Sequence, residues 1–495
     1  MSAEIRNLAP KHVWNYFYEL TQIPRPTGHM EAVTLYVAGF GKKLGLETWR
    51  DEVGNVLIRK PATPGKETFP TVILQSHLDM VPQKSLSASH NFLTDPIDAY
   101  IDGDWVKAHD TTLGADNGIG AALAMAVLAD TTLKHGPVEA LFTVNEEVGM
   151  DGVFGLKPGF LKGRILINCD SEEEGQLFAG CAGGADLNIS FQFKDDIRIP
   201  SGDVAVKLSL TGLKGGHSGI DIHLGRANAN KLMFRFLKDV VTTYGVRLAA
   251  IDGGSLRNAI PREAFAVITL PEDNADILWE TVSDYQELYR TEYAGVEDKL
   301  EFTAEKTELP GTLIPEEVQD DLINAIEGCQ NGVIRMLYDF PGTVESSSNL
   351  AVVSSSPGLI EVKILVRSSS ESRKASITSA LESIFSLAGA KVEFGGSYNG
   401  WKPDIHSAIL RLMKQVYMDL YEKAPSVKVI HAGLECGIIQ GIYPDMDMIS
   451  IGPDLQYPHS PGEQVYIPSV RKVWDFLRVT LERIGEIVSS SEKQD

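Results

Sequence analysis

Cysteine is scarce in this 495-residue chain: Cys169, Cys181, Cys329 and Cys436 are scattered and form no CxxC pair. That argues against a disulfide framework and suits a reducing compartment, with each thiol expected as a small buried hydrophobe. Long apolar runs are missing too. No stretch approaches the ~20 residues that span a bilayer, and the opening MSAEIRNLAPKHVW has no signal-peptide core, so a cytoplasmic protein is expected. Positive charge is in short supply: 45 Lys and Arg stand against 67 Asp and Glu, a net charge of −22. Nucleic acids and anionic membranes are bound through basic patches that displace counterions, so neither partner is expected. A basic aromatic stripe and low-complexity segments are absent as well, apart from the polar tail SSSEKQD, which is expected to fray.

What the chain does have is length and apolar content. At 43% hydrophobic residues it supplies ample core, and its length exceeds that at which one core keeps growing, so two domains are expected. Residues 1–188 alternate apolar runs with helical periodicity: helix signals at 11–23, 29–45 and 118–130, strand signals at 71–76, 138–144 and 164–169. That alternation predicts an α/β fold, a mostly parallel sheet sandwiched by helices. From 189 to 396 the strands instead alternate apolar and polar residues, as in 203–213, 263–270 and 359–368, with covering helices at 226–241 and 372–389. One wet face per strand predicts an open-faced α+β lobe. SLRNAIP and ESSSNLAVV hold similar places in its two halves, which suggests an internal duplication. After 397 the first texture returns, with a helix at 404–424, a strand at 447–454 and a final helix near 469–489. The expected architecture is a domain made of 1–188 and 397–495 with 189–396 inserted as a lid.

Acidic residues and histidines gather where apolar runs end: His77 and Asp79, Asp116, Glu146 and Glu147, Asp170, and His459. In an α/β sheet the carboxyl ends of parallel strands share one crevice, so these residues would meet there and could hold two divalent cations. Asp79, two positions after His77, can accept a hydrogen bond from the ring nitrogen that a metal leaves free; HxD alone is equally a structural pair. Two adjacent carboxylates at a buried strand end repel unless something cationic or a proton compensates. One of them can bind metal while the other reaches an attacking water, or the pair is simply a solvated strand end. Asp116 lies in the glycine-flanked loop LGADNGIG, where its two oxygens could bridge two cations. Asp170 could also be a helix cap, and His459, among prolines, an ordinary surface histidine. Of the other histidines only His431 stands out: HAGLECG reads as a loop that could line a pocket, with Glu435 placed to receive a substrate amine.

Together SHLDMV, TLGADNGIG, NEEVGM, NCDSEEEG and YPHSPGE, in that order, resemble the dinuclear zinc aminoacylase/carboxypeptidase superfamily; HAGLECG and GGHSGIDIH are similar to its aminoacyl-histidine dipeptidase branch. The resemblance implies a metal-dependent dipeptidase acting on small peptides with a free N-terminus, Xaa-His types such as β-alanyl-histidine included. It implies His77, Asp116 and Asp170 around one zinc and Asp116, Glu147 and His459 around the other, with Asp116 as the bridge. Glu146 would be the general base and Asp79 the partner of His77. His217 would reach toward the scissile carbonyl, and Asn258 and Arg367 would contact substrate; the planar fork of an arginine suits a terminal carboxylate. Manganese or cobalt would suit the same ligands, and a homodimer stays open. The competing readings are a deacylase, carboxypeptidase or tripeptidase of the same superfamily, and a metal-stabilised binding protein without turnover.

Overall fold

The computed structural model describes residues 2–197 and 199–487, so the polar tail at 489–495 lies outside the described residues. The chain divides into two compact units: Met1–Cys181 with Trp401–Val429 and Leu434–Asp495, and Ala182–Gly400 with Ile430–Gly433.

At the centre of the first unit four strands run parallel, in the order Val138–Thr143, Val72–His77, Ile165–Asn168 and Asp447–Ser450. Three of them are buried at every position, as strands covered on both faces must be, which is why they read as unbroken apolar runs. Glu47–Arg50 and Val56–Lys60 extend one side antiparallel, and Gln176–Cys181 pairs antiparallel with Asp447–Ser450 on the other. Helices supply the covering layers, including Lys11–Thr21, Ala115–Ala129, Ala408–Tyr421 and Ile467–Arg483. From Gly118 to Leu128 the helix Ala115–Ala129 is apolar all round because it is buried all round. Its small residues permit close approach: a Cβ on Gly120 would lie 2.3 Å from the Cys169 carbonyl oxygen.

The second unit is built on one sheet of nine strands paired antiparallel throughout. Its strands show the expected single wet face; in Asp203–Thr211, Val206, Leu208 and Leu210 are fully buried while Lys207 is exposed. Helices Ala229–Tyr244, Ala275–Glu292, Glu316–Gly328 and Glu371–Leu387 complete its core. This unit starts before residue 189 because Gly183–Gln192 pairs along its whole length with Leu359–Ser368. The sheet is continuous, its two halves joined where Asp252 and Gly253 meet Ser354 and Val353; what it displays is continuity, and the expected duplication is not shown.

Candidate metal centre

Parallel register brings three of the expected segments to one edge of the first unit. His77 ends its strand opposite Thr143, and Asn168 pairs with Gln75, so residues 77–79, 144–147 and 169–170 all leave the sheet at its carboxyl end. The two glutamates do not end the strand itself. They sit in a turn just beyond it, after Asn145, whose backbone is left-handed at φ 55°. Asp79 fastens that turn: its carboxylate accepts the N–H groups of Glu146 and Glu147 at 3.1 and 3.2 Å and the Thr27 hydroxyl at 3.0 Å. His77 Nδ1 is closer to the Asp79 carbonyl oxygen, at 3.1 Å, than to its carboxylate, at 3.5 Å. Asp79 therefore orients His77 mainly through its backbone, and its side chain holds the glutamate turn. Burial alone would raise the Asp79 carboxyl, but the contact with His77 and the two amides hold it below its usual range.

Asp116 stands between two histidines. Its Oδ1 lies 3.1 Å from His77 Nε2 and its Oδ2 3.2 Å from His459 Nε2. Each histidine has a second carboxylate: Asp170 Oδ1 is 3.3 Å from His77 Nε2, and Glu147 Oε2 is 3.0 Å from His459 Nε2. The result is two donor triads, His77–Asp116–Asp170 and Asp116–Glu147–His459, sharing Asp116; Glu146 and Glu147 also group with His77.

The electrostatics show what such a cluster needs. Burial, with the charges of Asp116 and Glu147, pushes Asp170 up to about 6 although His77 opposes it. Burial likewise lifts Glu146 well above the ordinary glutamate range, helped by Asp170, Glu435 and Glu147. Hydrogen bonds to Asp116 and Glu147 lift His459 to about 11, and His77 is raised despite burial by Asp170, Asp116 and Asp79. Buried carboxylates that hold protons on neighbouring imidazoles are an anionic site lacking positive charge. Glu147 Oε1 is buried without a hydrogen-bond partner, and Asp170 Oδ1, also buried, has only the 3.3 Å approach of His77 Nε2. Imidazole and carboxylate donors of this number fit a pair of divalent cations, which would neutralise the cluster and occupy those oxygens.

Several residues that hold this centre carry no warning in the sequence. Glu463, buried, receives four successive amides of the 113–116 loop; it sits in the YPHSPGE motif beside His459, yet nothing in the string distinguishes it from a surface glutamate. Arg25 is 2% exposed, and a buried arginine has no periodic signature. Burial, with Asp116 and Asp170 nearby, raises Glu172 to about 8. Glu435 is not on a loop: it opens the helix Glu435–Ile442 and is 1% exposed. Gln75 Nε2 and the Thr143 hydroxyl donate to its Oε2 at 2.5 and 2.8 Å, and burial lifts it to about 8.

The second unit gathers its own set. His217 lies in the two-residue strand Gly216–His217, paired with Ala259–Ile260, and Ser218 N–H donates to the Asn258 carbonyl at 2.8 Å; Asn258 itself is exposed. The amides of Gly219 and Ile220 donate to His217 Nδ1 at 3.2 and 3.0 Å. That leaves the proton on Nε2 as a donor, and burial with the Arg367 charge favours the neutral ring by lowering its pKa. Arg367 is buried; its Nη1 donates to the Tyr398 hydroxyl at 2.9 Å while its Nε has no partner. A Cβ on Gly219 would stand within 3.2 Å of the His217 ring, Arg367 Nε and the His431 carbonyl oxygen, so only glycine fits among the three. His431 Nε2 is 2.7 Å from the Ser347 hydroxyl, and burial with the charge of Arg367 drops it to about 3.

Comparison with known proteins finds similarity over nearly the whole chain. Residues 208–297 match the model of the M20-type peptidase dimerisation domain. The chain is 47% identical to the cytosol non-specific dipeptidase of Escherichia coli, over 97% of this chain and 99% of that protein. It superposes on the crystal structure of an aminoacylhistidine dipeptidase from Vibrio alginolyticus with a TM-score of 0.92 at 46% identity, covering 97% of each chain. The aminopeptidase PepT of Bacillus cereus shares the fold at a TM-score of 0.57 and 15% identity, over 96% of this chain and 99% of that one.

Proposed function

Because the chain belongs to the dipeptidase family of the M20 peptidases, we propose that it hydrolyses dipeptides with a free N-terminus, Xaa-His types such as β-alanyl-histidine among them, in the cytoplasm. The observation that carries this is Asp116: its two oxygens face two different histidines, each completed by a further carboxylate. His77, Asp116 and Asp170 would hold one divalent cation and Asp116, Glu147 and His459 the other, zinc first, manganese or cobalt as alternatives. Cations bound there polarise the scissile carbonyl and acidify the attacking water.

The chain's own residues do the rest. Glu146, in the same turn as Glu147 but outside the two shared triads, takes a proton from the attacking water and returns it to the leaving amine nitrogen as the C–N bond breaks. Asp79 fixes the turn on which Glu146 rides. His217, with its proton on Nε2, is the proposed donor to the carbonyl oxygen as charge develops there, and Arg367 the proposed partner of the peptide carboxylate. Asn258 is a proposed substrate contact through its exposed side chain, and Glu435 the proposed acceptor for the substrate amine. The matched dimerisation domain supports a homodimer, which sedimentation would detect. No helix among the described residues is long and apolar enough to cross a membrane.

The test is metal-stripped protein reconstituted with zinc, manganese or cobalt and presented with Xaa-His dipeptides, β-alanyl-histidine, N-acetyl amino acids and tripeptides. Dipeptides with free amines should be cleaved first. Faster hydrolysis of N-acetyl amino acids or tripeptides would reassign the chain within the superfamily, and no turnover with any cation would favour a binding protein.

A further inference from the structure

Asp116 can serve two cations only if its carboxylate stays aligned between His77 and His459, and its own segment is poorly suited to that. Residues 113–116 form a loop that turns through Gly114 at φ 69° and enters a helix whose second and third residues, Asp116 and Asn117, depart from helical backbone angles. Two buried side chains of opposite charge grip this loop from the two kinds of backbone group. Glu463 Oε2 accepts the N–H groups of Leu113 and Gly114 at 2.8 and 2.9 Å, and its Oε1 those of Ala115 and Asp116 at 2.7 and 3.2 Å. Arg25 Nη2 donates to the Gly114 carbonyl at 2.5 Å, and its Nη1 to the carbonyls of Leu78 and Asp79 at 2.9 and 3.2 Å. Gly114 and Gly118 make room for the guanidinium, since a Cβ on either would lie 2.6 or 2.7 Å from Arg25 Nη2.

Each grip also ties the loop to another ligand segment. Glu463 follows His459 by four residues in a turn closed by its own N–H donating to the Ser460 carbonyl at 3.0 Å. Arg25 joins the loop to the backbone immediately after His77. A carboxylate that collects four amides and a guanidinium that collects three carbonyls are far more directional than packing alone, because charge-assisted hydrogen bonds are short and geometrically selective. Neither residue is among the five donors, so their effect reaches the cations through Asp116, His459 and His77.

We propose that Glu463 and Arg25 are a positioning pair that presets the bridging geometry of Asp116, so that the second cation binds tightly only while both grips are intact. The proposal rests on the metal-site reading above. Outer groups of this kind typically change metal affinity by about 10–100-fold. In Glu463→Gln the amide nitrogen can no longer accept two of the four N–H groups. The experiment titrates metal-free protein with cobalt(II), following stoichiometry by calorimetry and ligand geometry by visible absorption. Wild type should bind two ions; Glu463→Gln should bind one with little change and the other about 10–100-fold more weakly, with an altered spectrum, and Glu463→Asp, which keeps the charge, should recover part of the loss. Two ions bound by folded Glu463→Gln with wild-type affinity and spectrum would overturn the proposal while leaving the metal site standing. No cobalt bound by wild type would overturn the metal-site reading and this proposal together. Should Glu463→Gln fail to fold, Arg25→Lys, which keeps the charge but cannot span three carbonyls, gives the same readout: weakened second-ion binding supports the pair, unchanged binding overturns it.

Discussion

Glu146 and Glu147 differ by one position and are assigned different work, so they offer the sharpest separation at the scale of single residues. Glu147 Oε2 faces His459 at 3.0 Å, whereas Glu146 is the carboxyl whose pKa burial and neighbouring carboxylates drive upward. Glu146→Gln should therefore lower kcat by about 10²–10⁴-fold while metal content, by elemental analysis, and substrate affinity stay close to wild type. Loss of metal would instead make Glu146 a ligand. The same adjacency marks where reading residues reaches its limit. That two neighbouring carboxylates need a cation or a proton follows from charge alone, but which side chain points at which histidine depends on the turn that Asp79 fastens, and that turn is set by contacts 67 and 68 residues apart in the chain.

Among elements, the helix Ala115–Ala129 couples packing to the site. Its run of small residues is legible as a buried helix, but the reason Gly120 must be glycine is the Cys169 carbonyl, one residue before Asp170. Gly120→Ala should cost about 1–3 kcal/mol, read as a lower urea midpoint with unchanged slope; a stability equal to wild type would mean that the helix and the 165–168 strand have more room than this contact allows. Strands were the most readable elements. Unbroken burial produces the apolar runs at 72–77, 138–143 and 165–168, and one wet face produces the alternation at 203–211. HAGLECG misled because its glycines resemble a loop, whereas Glu435 opens a short helix and is held by Gln75 and Thr143 from two neighbouring strands.

For the molecule as a whole, the five candidate ligands all belong to the first unit, and cation binding should stabilise that unit selectively. A ligand present at about 100 times its Kd adds about 2.7 kcal/mol to the state that binds it. Hydrogen exchange with and without zinc should slow at 77–79, 113–117, 146–147 and 168–170, with little change across the core strands of the second unit. Equal protection of 203–211 and 264–271 would place cation binding elsewhere. The sequence by itself determined the α/β class of the first domain, the change of texture near 189 and a set of candidate metal-binding residues, because burial on one or two faces writes a period into the chain and carboxylates at buried strand ends need a counter-charge. Only the tertiary structure decided that Asp116 turns one oxygen to each histidine, that the Asp79 side chain serves the glutamate turn more than His77, and that Glu463 and Arg25 grip the bridging loop. Those are matters of direction and of distance between residues remote in sequence, and a linear string carries neither.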